Sequence, residues 1–132
     1  MVIRVRGGAT LILAGFITIS CGGVTDPSKN NVESFPGTVS PGGLPWLHDV
    51  QVNNTGEYSV KITALSPTPT AVLFVGWYQG AGCQIQMLTN FGSLNRTALS
   101  GAIFQKGTYC VLVSDPGTLT VAQNFTIEVS HP

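Results

Sequence analysis

The side chains that could do chemistry in this 132-residue chain are few and widely separated. The chain contains three cysteines, Cys21, Cys83 and Cys110, and two histidines, His48 and His131. Nucleophilic catalysis needs a base beside a nucleophile, and a metal site needs several closely placed ligands. Neither histidine shows such spacing, and no Gly-x-Ser-x-Gly motif occurs. The sequence therefore predicts no catalytic residue, no metal and no cofactor.

The acidic residues do not form an evident acid–base pair. Glycoside hydrolysis needs two carboxylates facing each other across a cleft. Instead, Asp49, Glu57, Asp115 and Glu128 fall in predicted turns or on outward strand faces. Asp115 stands before a Pro-Gly pair, which is a turn signal. We expect a protein that is not an enzyme, and a small hydrolase with an unrecognised site is the alternative.

Three large aromatic residues, Trp46, Trp77 and Tyr78, are the candidates for ligand binding. Exposed rings in a secreted β domain can stack on sugars, because a ring offers apolar area together with a polar edge. The simpler interpretation, which we favour, places Trp77 and one neighbour in the hydrophobic core. The irregular stretch 88–104 is either a recognition loop or, preferably, a crossover containing one strand.

The composition favours strands and argues against nucleic acid as a partner. Charged residues make up 9% of the chain, against the roughly 25% usual for soluble domains. Sixteen glycines and eight prolines provide frequent turns. After Cys21, four Lys or Arg residues face six Asp or Glu residues, so no basic patch is available to neutralise phosphates.

The first residues are typical of an export signal. Arg4 and Arg6 precede an uncharged run over 9–20, which ends at the small residue Ser20. The run of about a dozen residues is shorter than the ~18–20 needed to span a bilayer. We predict that residues 1–20 are a signal peptide; a buried core helix is disfavoured because the run has no polar face.

The residues Thr-Ile-Ser-Cys at 18–21 resemble a bacterial lipobox. Ser20 and Cys21 match this signal, whereas Thr18 stands where leucine is usual. The resemblance implies that Cys21 is acylated on sulfur and tethers the protein to a membrane; cleavage without lipid is the alternative. Gly22, which is not Asp, implies by the same resemblance the outer membrane.

Cysteine parity then predicts one disulfide. If Cys21 carries lipid, Cys83 and Cys110 remain as a pair. Export places them in an oxidising compartment, where a disulfide persists. Closing a loop of about 26 residues stabilises the fold by roughly 3–4 kcal/mol in the chain-entropy model.

The segment that follows predicts a tether. Residues 21–35 are rich in Gly, Ser and Asn and poor in apolar residues, so we expect a flexible linker. We place the folded domain at 36–132. The stretch 35–39 can supply a first edge strand, because Pro36 suits an edge.

The folded part shows period-two alternation, with apolar residues on one face of each segment and polar residues on the other. The segment 58–65 alternates most clearly, whereas 71–79 is apolar on both faces and predicts a central strand. We predict an all-β, antiparallel two-sheet β-sandwich, jelly-roll or immunoglobulin-like, of seven or eight strands. The expected core is Val50, Val52, Tyr58, Val60, Ile62, Val72, Phe74, Trp77, Ile85, Tyr109, Val111, Val113, Phe125, Ile127 and Val129.

Three stretches of the folded part resemble a known family. The stretches NTGEYSVKITALSP, VLFVGWYQGAGC and GTYCVLVSDPGTLTVAQNFTIEVSHP are similar to the bacterial pre-peptidase C-terminal (PPC) β-sandwich. They resemble more closely small bacterial secreted lipoproteins that end in G-x-Y-C-V-x-V-x-D and F-x-I-x-V-x-H-P. The resemblance covers about residues 36–132 and implies no peptidase activity. Some relatives bind calcium or polysaccharide, but the acidic residues here are isolated and form no calcium-ligand cluster.

Together these patterns predict a non-catalytic protein of the bacterial cell envelope, lipid-anchored and placed on the outer membrane, or else secreted. Its β-sandwich would bind, adhere to or stabilise extracytoplasmic protein or polysaccharide. The alternative is a carbohydrate-binding module that uses its exposed aromatics.

Overall fold

The computed structural model describes residues 26–132, and this part of the chain is almost entirely β. Within it, no helix is long and apolar enough to cross a membrane. A short 3-10 turn at Pro27–Lys29 precedes the strands. The strands are β1 Asn31–Val39, β2 Trp46–Val52, β3 Gly56–Ser66, β4 Leu73–Gln79, β5 Ile85–Gly92, β6 Thr97–Ile103, β7 Gly107–Ser114 and β8 Gln123–His131.

The eight strands form two antiparallel sheets of four. The first sheet has the order β1-β8-β3-β6, and the second has the order β2-β7-β4-β5. The predicted all-β, two-sheet architecture is thereby confirmed. Each sheet has two edge strands: β1 and β6 in the first, β2 and β5 in the second.

Alternation along the strands places one face of each sheet in the core. In β3, Tyr58, Val60 and Ile62 are buried, whereas the residues between them reach the surface. Ile127 of β8 pairs directly with Ile62. Burying each such side chain stabilises the fold by about 1.5–3 kcal/mol. Because successive side chains of a strand point to opposite faces, the strand conformation places all the apolar residues of such a segment in the core.

Three stacked aromatic rings in the core join the two sheets. Trp77 of β4 lies 4.7 Å from Tyr58 of β3 and 5.2 Å from Tyr109 of β7, measured between ring centroids, and both neighbours are nearly parallel to it. Burial raises the pKa of Tyr58 and of Tyr109. All three residues were expected in the core, and this is confirmed.

The predicted facing of the 71–79 segment and of β5 was wrong at three positions. Val72 and Ile85 are exposed and Phe74 is only half-buried, while Leu73 and Val75 are fully buried. The 71–79 segment is apolar on both faces, so its pattern did not reveal which face turns inward. The core also includes residues that the sequence analysis did not identify: Val39, Leu65, Leu73, Val75, Ala98, Leu99 and Ile103.

The sandwich begins before the predicted boundary at residue 36. β1 starts at Asn31, which pairs with His131, and the ladder with β8 continues to Val39 opposite Gln123. Residues 31–34 are exposed, so this end of β1 rests on its backbone ladder and carries no apolar alternation to reveal it. The predicted signal peptide at 1–20 and the lipidation site Cys21 lie outside the described residues.

The predicted disulfide is present. Cys83, in the connection between β4 and β5, is bonded to Cys110 of β7. The two cysteines are 27 positions apart in the sequence. A cross-link that closes a loop of this length stabilises the fold by about 3–4 kcal/mol in the chain-entropy model.

The predicted turn at Asp115 is also present. One carboxylate oxygen accepts hydrogen bonds from the backbone N–H groups of Gly117, Thr118 and Leu119, and the other accepts from Gly42. These hydrogen bonds, the one from Gly42 first, hold the pKa of Asp115 below its usual value. Asp115 therefore fastens the β7–β8 turn to the β1–β2 connection.

Candidate binding face on the outer side of the second sheet

Trp77 is excluded from ligand contact by its position. It is 1% exposed and lies between the rings of Tyr58 and Tyr109. The suggestion that Trp77 binds a ligand is therefore wrong, and the core interpretation is confirmed. Removing this ring from between two parallel aromatics would leave a cavity rather than an empty binding site.

Trp46 closes one side of the sandwich. Its ring packs edge-on against Phe125 at 5.1 Å and lies parallel to the His48 ring at 5.6 Å. A Cβ atom on Gly37 of β1 would lie 2.8 Å from the indole nitrogen, so glycine is needed at that position. Trp46 points toward the gap between β1 and β2, on the side of the sheet opposite to Tyr78, and the two residues form no common site.

Tyr78 remains on a solvent-facing surface. It is half-buried and lies on the outer side of the second sheet. Its ring covers Gly76, because a Cβ atom there would come within 2.5 Å of the tyrosine Cε2 atom. A glycine two residues earlier on the same strand therefore lets the Tyr78 ring lie close to the sheet.

Apolar residues occupy the two outward rows of the second sheet that precede Tyr78 along β4. Leu47 of β2 is opposite Leu112 of β7, which is opposite Gly76. In the adjacent row, Phe74 of β4 is opposite Phe91 of β5, and their rings meet edge to face at 6.1 Å. We call the set of five outward residues, which extends over all four strands, the apolar face: Leu47, Phe74, Tyr78, Phe91 and Leu112.

The apolar face carries almost no charge. Asp49 is the one charged residue on the outward side of the second-sheet strands, and its carboxylate accepts the Gly82 N–H at 2.9 Å. Uncharged polar groups border the face instead: Gln51 donates to Thr108 at 2.8 Å, and Gln86 lies opposite Tyr78. From residue 62 to residue 95 the sequence contains no Asp, Glu, Lys or Arg. Such a surface can offer apolar contact and neutral hydrogen bonds.

The connection between β4 and β5, residues 80–84, forms one end of this face. We call it the stapled loop, because the disulfide from Cys83 to Cys110 ties it to β7. Gly80 donates to the Thr108 carbonyl at 2.8 Å, and Gly82 reaches Asp49 on the edge strand β2. Gly80, Gly82 and Cys83 all have positive φ, which lets the loop fold back over the sheet. The disulfide partner Cys110 lies directly opposite Tyr78, so the staple fixes the strand next to the tyrosine.

The outer side of the first sheet has a different character. A depression of about 470 Å³ is lined mainly by small residues, among them Thr38, Ala64 and Thr126. Thr38 donates to the Asn124 side-chain oxygen at 2.7 Å, so these two polar atoms are already paired with each other. No outward aromatic side chain lies in this depression, so it lacks the ring surface of the apolar face.

The histidines form no catalytic arrangement within residues 26–132. His48 packs against Phe35, 3.9 Å away between ring centroids, and against Trp46. His131 places Nε2 at 2.8 Å from a Glu33 carboxylate oxygen. A carboxylate can orient a histidine base, but then the other ring nitrogen must face the nucleophile. That atom, Nδ1 of His131, is buried without a hydrogen-bond partner.

Neither a metal-ligand cluster in the described residues nor a family match directs the assignment. Within the described residues, no group of three or more His, Cys, Asp or Glu side chains could hold a metal ion. No protein-family model matches the chain, and comparison with curated proteins finds no significant match. The resemblance to PPC domains and to small lipoproteins therefore stays a prediction, and the candidate site depends on the geometry alone.

Of the three aromatics that the sequence indicated, only Tyr78 belongs to the candidate site. Leu47, Leu112 and Phe91 were missed because each is an isolated apolar residue among the mainly polar residues on the outward side of its strand. Only the strand register brings them together. The excess of apolar residues in 71–79, more than one core face requires, was the signal in the sequence that pointed to this surface.

Proposed function

We propose that this chain is a non-catalytic cell-envelope protein, anchored by lipid at Cys21, whose β-sandwich binds extracytoplasmic ligands through the apolar face. The supporting observation is the half-buried Tyr78 ring, placed over Gly76 within an uncharged, aromatic-rich sheet surface. A soluble sandwich does not need apolar residues on its outward face, so a ligand is a reason for their presence.

The size of the face favours an extended chain over a globular protein. Across the four strands the face is about 14 Å wide, and along β4, from Phe74 to Tyr78, it is about 13 Å long. The area of the face is therefore roughly 180 Å². A stable protein–protein interface covers about 800 Å² on each partner. The face therefore suits a short stretch of polysaccharide.

The absence of basic side chains points to a neutral polysaccharide. An acidic glycan would need cations, and the outward side of the second-sheet strands presents only the carboxylate of Asp49. Amide groups such as Gln51 and Gln86 can bond sugar hydroxyls while the Tyr78 ring stacks on a sugar face. This second, sharper candidate function is a carbohydrate-binding module.

Polysaccharide pull-down and glycan-array binding test the ligand. We expect neutral glycans to bind and Tyr78→Ala to weaken binding about tenfold, which corresponds to about 1.4 kcal/mol. Phe91→Ala should act in the same direction, and Val121→Ala, an exposed apolar residue outside the strands, is the control. Unchanged binding by Tyr78→Ala would show that the apolar face is not the site.

A separate measurement tests the anchor. The intact mass of the protein from cell membranes should correspond to a chain that begins at an acylated Cys21. It should also show the two-hydrogen deficit of the Cys83–Cys110 disulfide. A chain that still begins at Met1 would refute the anchor without affecting the binding result.

A further inference from the structure

Three of the four sheet edges in the described part of the chain carry features that discourage further pairing. Unpaired edge strands invite other strands unless charge, proline or small size protects them. β1 carries Glu33 and Pro36, and β2 carries Asp49. β6 exposes only small residues, and its Ala98 carbonyl accepts a hydrogen bond from the Asn90 side chain at 3.0 Å.

The fourth edge, β5, carries neither charge nor proline, and its one irregularity is a single bulge at Met87. Its eight residues, IQMLTNFG, include no charge and no proline. Four apolar side chains are exposed: Ile85 at 59%, Met87 at 49%, Leu88 at 42% and Phe91 at 61%. Burying them against a partner is favourable in proportion to the apolar area removed from water.

A groove extends along the inner side of the same edge. It has a volume of about 180 Å³ and is lined by Met87 and Leu88 of β5, by 100–102 of β6 and by the Tyr58 ring. Leu88 of β5 is opposite Trp77, and Gln86 is opposite Tyr78, so Met87 between them is the extra residue of a β-bulge. The bulge lets two successive β5 side chains, Met87 and Leu88, line the groove.

We propose that β5 pairs in antiparallel fashion with β5 of a second copy of this chain. The second sheets of the two copies would then join into one continuous eight-stranded sheet. Two-fold pairing sets each residue opposite a residue of the same strand, and a charge near the axis would meet its own copy. The uncharged sequence of β5 meets this requirement. The apolar side chains of the partner strand would also cover the groove beside Met87 and Leu88.

The assembly stops at two copies. The other edge of the second sheet is β2, where Asp49 discourages the addition of a further strand. At one end of β5 the Phe91 N–H is already bonded to the Asn90 side chain at 2.9 Å, which leaves 85–89 as the open part. This contact is smaller than the usual 800 Å² per partner, so we expect a dimer that depends on concentration.

The pairing would set two apolar faces side by side, since Phe91 and Tyr78 lie on the strands next to the axis. Two linked sites bind one long polymer more tightly than either site alone. The self-association itself does not depend on the ligand proposed above, because the test substitution at Met87 lies outside the apolar face.

Co-purification of two differently tagged full-length chains from the same cells tests the proposal. We expect wild-type copies to co-purify and Met87→Lys to lower the yield about tenfold, through like charges across the axis. Co-expression of Met87→Lys with Met87→Glu should restore pairing, which also shows that both variants fold. Val121→Lys, at an equally exposed site outside β5, should change nothing.

Three results would overturn it. The first is that wild-type copies do not co-purify and that Met87→Cys copies form no intermolecular disulfide under oxidising conditions. The second is association of Met87→Lys that equals that of the wild type. The third is a loss of association by Met87→Lys that persists when Met87→Glu is supplied. Any of these outcomes places the contact elsewhere or removes it.

Discussion

Substitution of Gly76 by alanine tests the central geometry of the candidate site. The added Cβ atom would lie 2.5 Å from Cε2 of Tyr78 and 3.4 Å from a Thr89 methyl group. The first distance is well inside van der Waals contact, so the tyrosine ring must move away from the sheet. The second distance is ordinary contact, and Thr89 can remain in place.

The expected cost follows from two opposed effects. Overpacking a well-fitted site destabilises by about 1–3 kcal/mol. Replacing glycine lowers the entropy of the unfolded chain and stabilises by about 0.4–1 kcal/mol where the backbone allows a side chain. Gly76 is not among the glycines with positive φ, so the second effect applies in full. We expect Gly76→Ala to destabilise by about 1–2 kcal/mol.

The same substitution in a Tyr78→Ala background isolates the contact. Without the ring there is no clash, so alanine at 76 should be neutral or stabilising by up to about 1 kcal/mol. Urea unfolding of the four proteins with the disulfide intact gives the coupling energy, which we expect to be about 1–3 kcal/mol. An equal cost of Gly76→Ala in both backgrounds would show that the Tyr78 ring does not cover Gly76.

Three further predictions concern stability. Replacing Cys83 and Cys110 together by alanine should destabilise by about 2–5 kcal/mol, and reductant should then no longer affect urea unfolding of the variant. Trp77→Ala should cost about 3–5 kcal/mol in the same assay, whereas a ligand-binding role alone would cost little. The lowered pKa of Asp115 stabilises the fold above its unfolded value of about 3.9, and this contribution is lost as pH falls through the folded value. We therefore expect the melting temperature of Asp115→Asn to fall less steeply than that of the wild type as the pH is lowered below about 4. An equally steep fall in both proteins would contradict this role of Asp115.

The strands that could be predicted from sequence are those with one apolar face. β3 and β8 lie inside the first sheet, and in both the outward residues are mainly polar or small, so alternation identified the strand and its buried side. The start of β1 could not be predicted in the same way. Residues 31–34 pair with β8 through the backbone while their side chains remain exposed, and backbone pairing leaves no hydrophobic pattern.

The disulfide and the candidate site depended on different kinds of information. Cys83 and Cys110 could be paired by counting, because one of three cysteines was assigned to lipid. The apolar face requires the register, since Leu47, Leu112 and Phe91 are far apart in sequence and become neighbours only across the ladders of β2, β7, β4 and β5. Asp49 likewise looked like an isolated acid, yet its carboxylate holds the stapled loop through Gly82.

The failure to predict the facing of β4 and the existence of the apolar face have one physical cause. A half-buried strand needs apolar residues on one side only, and its other side is normally polar because water solvates it at no cost. In β4 the outward residues Phe74 and Tyr78 are aromatic, and in β5 the exposed residues include Ile85 and Phe91. The uncharged stretch from 62 to 95 thus contains more apolar side chains than the core uses. Since that excess is concentrated on one sheet face and its adjoining edge, the second sheet is where this protein should contact other molecules.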